Sequence, residues 1–231
     1  MEKQNDDLKV IIFGASGMVG AAVLNECLKD PRVSTVLSVG RSSSRMTHPK
    51  LKELILPDLF DLEPQTEALK GYNACFFTLG VSAAGLNEAQ YAKINHDLPL
   101  KTAGLLLKLN PDLAIGYVSG TGADSTEKGS VMWARVKGRT ENELLKMPFR
   151  AAVMFRLAGL QPLKGYKSST RLYRVFYDLF GPILPLLVRL FPNAVTTPER
   201  LGRAFIRAGR GQSPKSILEA KDIHELGSMV V

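Results

Sequence analysis

The chain has 231 residues, 45% of them hydrophobic and 23% charged, enough for one well-buried core, and no period of about 20 to 50 residues marks a solenoid. Its polar start, MEKQNDDLK, has no apolar leader segment, and Cys27 and Cys75 sit in apolar stretches without C-x-x-C spacing, so a cytoplasmic protein with reduced thiols is expected, not a secreted, disulfide-stapled one. The net charge of +8 is uneven: residues 1–120 carry 12 Lys/Arg against 13 Asp/Glu, and residues 121–231 carry 18 against 9.

The first element is LKVIIFG (8–14), an apolar run ending in glycine, followed by the amphipathic MVGAAVLNECLKD; this predicts a buried strand, a tight turn and a helix. Strands are predicted next at VSTVLSVGR (33–41) and LKELILPDL (51–59), then a helix near 62–70, a strand at NACFFTLG (73–80) and a long helix from Asn87 to Leu109. LAIGYVSGTG (113–122) is the fifth strand, VMWARVKGRTENELLK the following helix and RAAVMFRLAG (150–159) the sixth strand. Strands alternating with helices in this way predict an α/β fold, a Rossmann-type doubly wound parallel sheet covered on both faces. Beyond Gly159 the chain turns rich in arginine and aromatics and is broken by Pro182, Pro185 and Pro192. One domain over 1–231 is expected, with 160–215 as a small lobe at the sheet's C-terminal edge. Thr197 and Pro198 are set to cap and open a helix, and SILEAKDIHELG closes the chain as a short strand and a final turn.

FGASGMVG places glycines at 14, 17 and 20 between a strand and a helix. Gly14 permits the turn, Gly17 lets a pyrophosphate approach the backbone, and Gly20 lets helix and strand pack closely. The N–H groups of Met18 and Val19 then point at the phosphates from the positive end of the helix. A dinucleotide is therefore the expected ligand. At the end of the second strand a carboxylate would grip the ribose hydroxyls of NAD. Arg41 stands there instead, with Ser42 beside it and Ser16 in the glycine turn; a guanidinium suits the 2′-phosphate, so NADP(H) is favoured over NAD(H).

These features together resemble the short-chain dehydrogenase/reductase superfamily, in its atypical and extended branches of small NAD(P)-dependent, epimerase-like proteins. The G-x-x-G-x-x-G turn is that superfamily's form. The resemblance implies further cofactor contacts at Asp58 and Leu59 after the third strand, at Thr78, Leu79 and Gly80 at the end of the fourth, and at Leu157 in FRLAGLQP under the nicotinamide. It also places Asn95 of YAKIN at a helix position where this superfamily often keeps asparagine, and Ser119 of YVSGTGA at the catalytic serine position. In the family a Tyr-x-x-x-Lys pair follows: the lysine holds the nicotinamide ribose and lowers the tyrosine's pKa, and the tyrosine passes the proton. Here the lysine is Lys137 and the tyrosine's place is held by Trp133, the only tryptophan. Indole N–H is a donor that does not titrate usefully, so it cannot serve as a general acid or base.

The expected function is that of an NADP(H)-binding oxidoreductase acting on a small carbonyl or alcohol substrate through an altered site, Ser119, Lys137 and Trp133. The alternative is a catalytically weak or inactive NADP(H)-sensing, partner-binding protein. No metal is expected, because His48, His96 and His224 are scattered. Nor is nucleic acid, for want of a groove-entering or base-stacking module. The basic 150–215 region leaves a peripheral membrane or protein partner open, as it does a homo-oligomer.

Overall fold

A computed structural model describes residues 7–161 and 195–229. Its sheet has seven strands in the order β3-β2-β1-β4-β5-β6-β9. These are β1 (Leu8–Phe13), β2 (Val33–Gly40), β3 (Leu51–Ile55), β4 (Ala74–Phe77), β5 (Ala114–Val118), β6 (Ala151–Phe155) and β9 (Ile217–Leu218). Every neighbouring pair is parallel. The order reverses beside β1, between β1 and β4, and a crevice outside the strands' carboxyl ends opens where such a reversal occurs.

Alternation along the strands divides the core. Val10 and Ile12 of β1 face one side, with Phe76, Val153 and Phe155, and are covered by α1 (Met18–Lys29) and α5 (Pro198–Gly209). Ile11 and Phe13 face the other, with Phe77, Ile115 and Tyr117, under α3 (Leu98–Leu109) and α4 (Met132–Lys146). Burying both faces is what turns these strands into near-continuous apolar runs. Phe205 of α5 stacks on Phe155 at 3.8 Å between ring centres and meets Phe76 edge-on at 5.2 Å.

The long helix begins as expected at Asn87, whose side chain accepts from Gln90 N while the Gln90 side chain accepts from Asn87 N, a reciprocal cap. It is not uniform. α2 (Glu88–Ala92) passes into a π-helical turn, Lys93–Asp97, before α3. Pro99 brings no N–H to the ladder, and the backbone widens just ahead of it.

Other expectations are corrected. β3 stops at Ile55 instead of Leu59, as Pro57 cannot donate to a ladder. The helix near 62–70 is a 3₁₀ segment, Glu63–Leu69. The final turn is a full helix, α6 (Ala220–Ser228), opened by reciprocal bonds between Glu219 and Asp222 and seated on Ile223 and Leu226. Thr197 does cap α5, its hydroxyl accepting from Arg200 N at 3.3 Å. α5 packs on α1 and under β4, β5 and β6, so this part of 160–215 forms a layer on the sheet. A two-stranded parallel pair, β7 (Gly159–Leu160) with β8 (Val195–Thr196), lies between these layers in sequence. The arginine- and aromatic-rich stretch at 162–194, where most of the lobe and the membrane-facing expectation fall, is outside the described residues.

Candidate functional site

The turn after β1 is built around missing side chains. Gly14 has φ +88°, and a Cβ there would stand 2.9 Å from the Leu79 backbone, a conformation and a spacing that suit glycine alone. A Cβ on Gly20 would stand 2.1 Å from Gly14 O and 2.6 Å from Thr78 Oγ1. Close contact of helix and strand follows, and α1 starts at Met18 with no acidic residue in its first turn. The N–H groups of Met18 and Val19 make no backbone hydrogen bond among the described residues, as expected of a helix's first turn. Their side chains pack on the core.

In front of the turn lies a crevice of about 410 Å³ lined by Gly14, Ser16, Gly17, Gly40, Arg41, Ser42, Thr78, Leu79 and Gly80. Three strand ends thus bring eight of the cofactor residues expected from the sequence to one place. Ser42 Oγ donates to Ser16 Oγ at 3.2 Å, tying the second strand's end to the glycine turn, and Arg41 beside it is exposed. Backbone donors at a helix start and a turn without side-chain bulk fit a pyrophosphate. Asp58, Leu59 and Leu157 do not line this crevice. Asp58 is exposed and accepts from Phe60 N at 2.9 Å, Leu59 is buried in the core on the α3 side, and Leu157 is half-buried against the other core.

Lys137 reaches the crevice wall from α4: a Cβ on Gly80 would be 3.6 Å from its Nζ. Only 7% of the residue is exposed. Nζ donates to Tyr117 Oη at 2.9 Å and to Val118 O at 3.1 Å, and lies 4.7 Å from the centre of the Tyr117 ring. Burial draws its pKa from 10.5 down to about 7, opposed by the charge of Glu141 one turn further on. Asn95, fully buried in the π turn, accepts from Val81 N at 3.3 Å and donates to Tyr91 O at 3.2 Å, which pins the loop after β4.

Trp133 occupies the turn of α4 before Lys137. It packs with Tyr91, Ala92 and Val136, and its ring edge lies 3.6 Å from where a Cβ would stand on Gly120 and on Gly122. Two small residues in the loop after β5 thus leave room for the indole. Ser119 is engaged elsewhere: its hydroxyl donates to Glu141, which is completely buried. Arg156 closes on the same carboxylate, with Nη2 at 2.6 Å and Nε at 3.1 Å, and reaches Glu219 at 3.1 Å. Sequence reasoning missed Tyr117, Glu141 and Arg156. For Glu141 a signal existed, since positions 133, 137 and 141 form one stripe of a helix at four-residue spacing. Tyr117 and Arg156 act across the sheet, where spacing along the chain is silent.

No protein-family model matches the chain. It is 30% identical over 168 residues, 70% of this chain and 69% of the relative, to "Protein fmp52-1, mitochondrial" of Aspergillus terreus. It is 26% identical over 149 residues, 64% of this chain and 60% of the relative, to "Protein HTATIP2" of Rattus norvegicus. Among solved structures it is similar to a short chain dehydrogenase family protein from Francisella tularensis (TM-score 0.64, 14% identity, 92% of this chain and 96% of that one). It is also similar to the Bordetella bronchiseptica enzyme WbmG in complex with NAD (TM-score 0.66, 10% identity, 96% and 77%). The expectation of a cytoplasmic protein is overturned by the relatives, several of which are named as mitochondrial; a polar start says little about a mitochondrial address, which is carried by no long apolar segment. The chain belongs to the fmp52 family, and its fold is the Rossmann-type α/β fold of the short-chain dehydrogenase structures it resembles.

Proposed function

We propose that this chain binds NADP(H) and acts as a slow oxidoreductase on a small carbonyl or alcohol compound. The observation that carries the reading is the convergence of Arg41, Ser42 and Ser16 with the glycine turn in one crevice. The N–H groups of Met18 and Val19 hold the pyrophosphate. Arg41 and Ser42 hold the 2′-phosphate, Thr78, Leu79 and Gly80 line the ribose path, and Lys137 meets the second ribose at the Gly80 wall. The bound dinucleotide supplies the hydride. Trp133 has no proton to give, and Ser119 has committed its own to Glu141, so water protonates the substrate oxygen. General acid–base catalysis is worth roughly 10²–10⁴-fold, and turnover is slower by a factor of that order than with a tyrosine at position 133. A small carbonyl fits because the wall around Trp133 is apolar, with Ala83, Leu86 and Met132 beside it.

A second reading is favoured by the packing of Trp133 against Tyr91 and Val136: the indole fills the reaction space and the protein holds NADP(H) as a sensor for a partner. Titrating the intrinsic tryptophan fluorescence with NADPH and with NADH tests both, since Trp133 is the only tryptophan. Quenching by NADPH at lower concentration than by NADH is expected, and Arg41→Ala should remove the difference. Binding of neither dinucleotide refutes both readings. NADPH consumption with simple aldehydes and ketones then separates the oxidoreductase from the sensor.

A further inference from the structure

An ammonium group has three N–H donors and no acceptor. Lys137 commits two of them inside the protein, to Tyr117 Oη and Val118 O. Its third has no acceptor among the described residues, and Nζ stands at the Gly80 wall of the crevice. Among the described residues no carboxylate pairs with it directly: Glu141, whose charge acts on it, is held by Ser119 and Arg156.

The direction of the Tyr117 bond is dictated by its partners. In its charged form Lys137 can only donate, so the phenol oxygen then accepts from it and sends its own proton elsewhere. That proton goes to Asn95 O at 2.9 Å. The Asn95 carbonyl is open to it because the residue four places on is Pro99, which has no N–H to fill that rung of the ladder. Thr140 Oγ1 reaches the same oxygen at 3.0 Å. The phenol is therefore locked at both ends, and Tyr117 is completely buried.

We infer that Tyr117 is the positioning residue of Lys137: in a family member that lacks the usual phenol one turn before the lysine, a tyrosine from the strand beneath fixes the ammonium so that one N–H remains for the ribose. Tyr117 never touches the substrate; it acts through Lys137. Tyr117 from β5 contacts Nζ, Glu141 from α4 acts on it by charge and is itself held by Arg156, and the Tyr91 phenol from α2 acts on Tyr117. An accepting oxygen and the ring face below Nζ both favour the charged lysine.

The inference rests on the reading of Lys137 as the cofactor-facing lysine, and the test separates the two. In cofactor-free protein, the pH midpoint of Lys137 is followed by the ¹³Cε resonance, assigned with Lys137→Met. Tyr117→Phe should lower that midpoint by about one unit. The charged fraction at pH 7 then falls from about half to about a tenth, and the NADPH dissociation constant rises about fivefold. A midpoint that stays put while thermal stability drops assigns Tyr117 to packing and overturns the inference. If the variant does not fold, the unsubstituted protein decides: the ¹³Cζ resonance of Tyr117 should move with the Lys137 midpoint, and a flat resonance overturns the inference. Failure of the unsubstituted protein to bind NADPH, with the midpoint responding as expected, removes the cofactor reading and leaves Tyr117 as the residue that sets Lys137.

Discussion

Lys137→Met separates the burial of a charge from the rest of the fold. In the unfolded chain this lysine keeps its proton up to about 10.5, whereas in the folded protein burial brings release down to about 7. Between those values the unfolded state binds more protons, so folding stability rises with pH. The slope approaches about 1.4 kcal/mol per pH unit, and from pH 7 to pH 9 the lysine alone adds about 2 kcal/mol. Methionine is similar in length, has no charge and fits an apolar site. The variant should therefore lack this rise, and the gap between the two proteins should change by about 2 kcal/mol over the same span. Urea unfolding of cofactor-free protein at pH 7, 8 and 9, followed by circular dichroism, gives both curves. Parallel curves would show that Lys137 titrates near its ordinary value in the folded state and would refute the account of its burial.

Arg156→Ala leaves the buried Glu141 carboxylate without its guanidinium; a loss of about 3–5 kcal/mol is expected, and Arg156→Ala with Glu141→Gln should recover part of it in the same unfolding assay. Gly20→Val drives side-chain atoms into the Gly14 carbonyl, and both a fall in melting temperature and loss of NADPH quenching are expected. Trp133→Tyr restores a phenol beside Lys137; NADPH oxidation with a responsive aldehyde should rise by about 10²-fold or more, and no rise would mean that the proton donor is not what limits turnover.

Local chemistry was readable where a residue's partners lie within a few positions. The glycines at 14, 17 and 20, the helix start near Asn87, the Thr197–Pro198 helix start and the strand alternation all have short-range causes, and the structure has them in place. What escaped has partners far along the chain. Ser119 looks like a free hydroxyl until Glu141, 22 residues away, is folded beside it. Lys137 sits at a helix position that reads equally well as a solvated charge, and only the packing of β5 under α4 buries it. The basic second half is likewise not a bare surface. Arg150 donates to Gly209 O, Arg207 to Leu226 O and Met229 O, and Arg156 to Glu141. A charge count cannot tell an arginine that tethers backbone from one that waits for a partner.

The contact between Arg156 and Glu219 makes the end of the chain a condition for finishing its middle. Arg156 leaves β6 and joins the N-terminal cap of α6 to the α4 carboxylate that holds Ser119. During synthesis, residues 1–150 can pair their strands while Glu219 is still unmade, but the guanidinium has no second carboxylate and β6 no outer neighbour until β9 arrives. The helix that carries Lys137 is thus clamped late, by long-range contacts that form slowly. A ribosome-stalled or C-terminally clipped chain would hold a glycine turn ready for phosphate before Arg156 has both of its carboxylates.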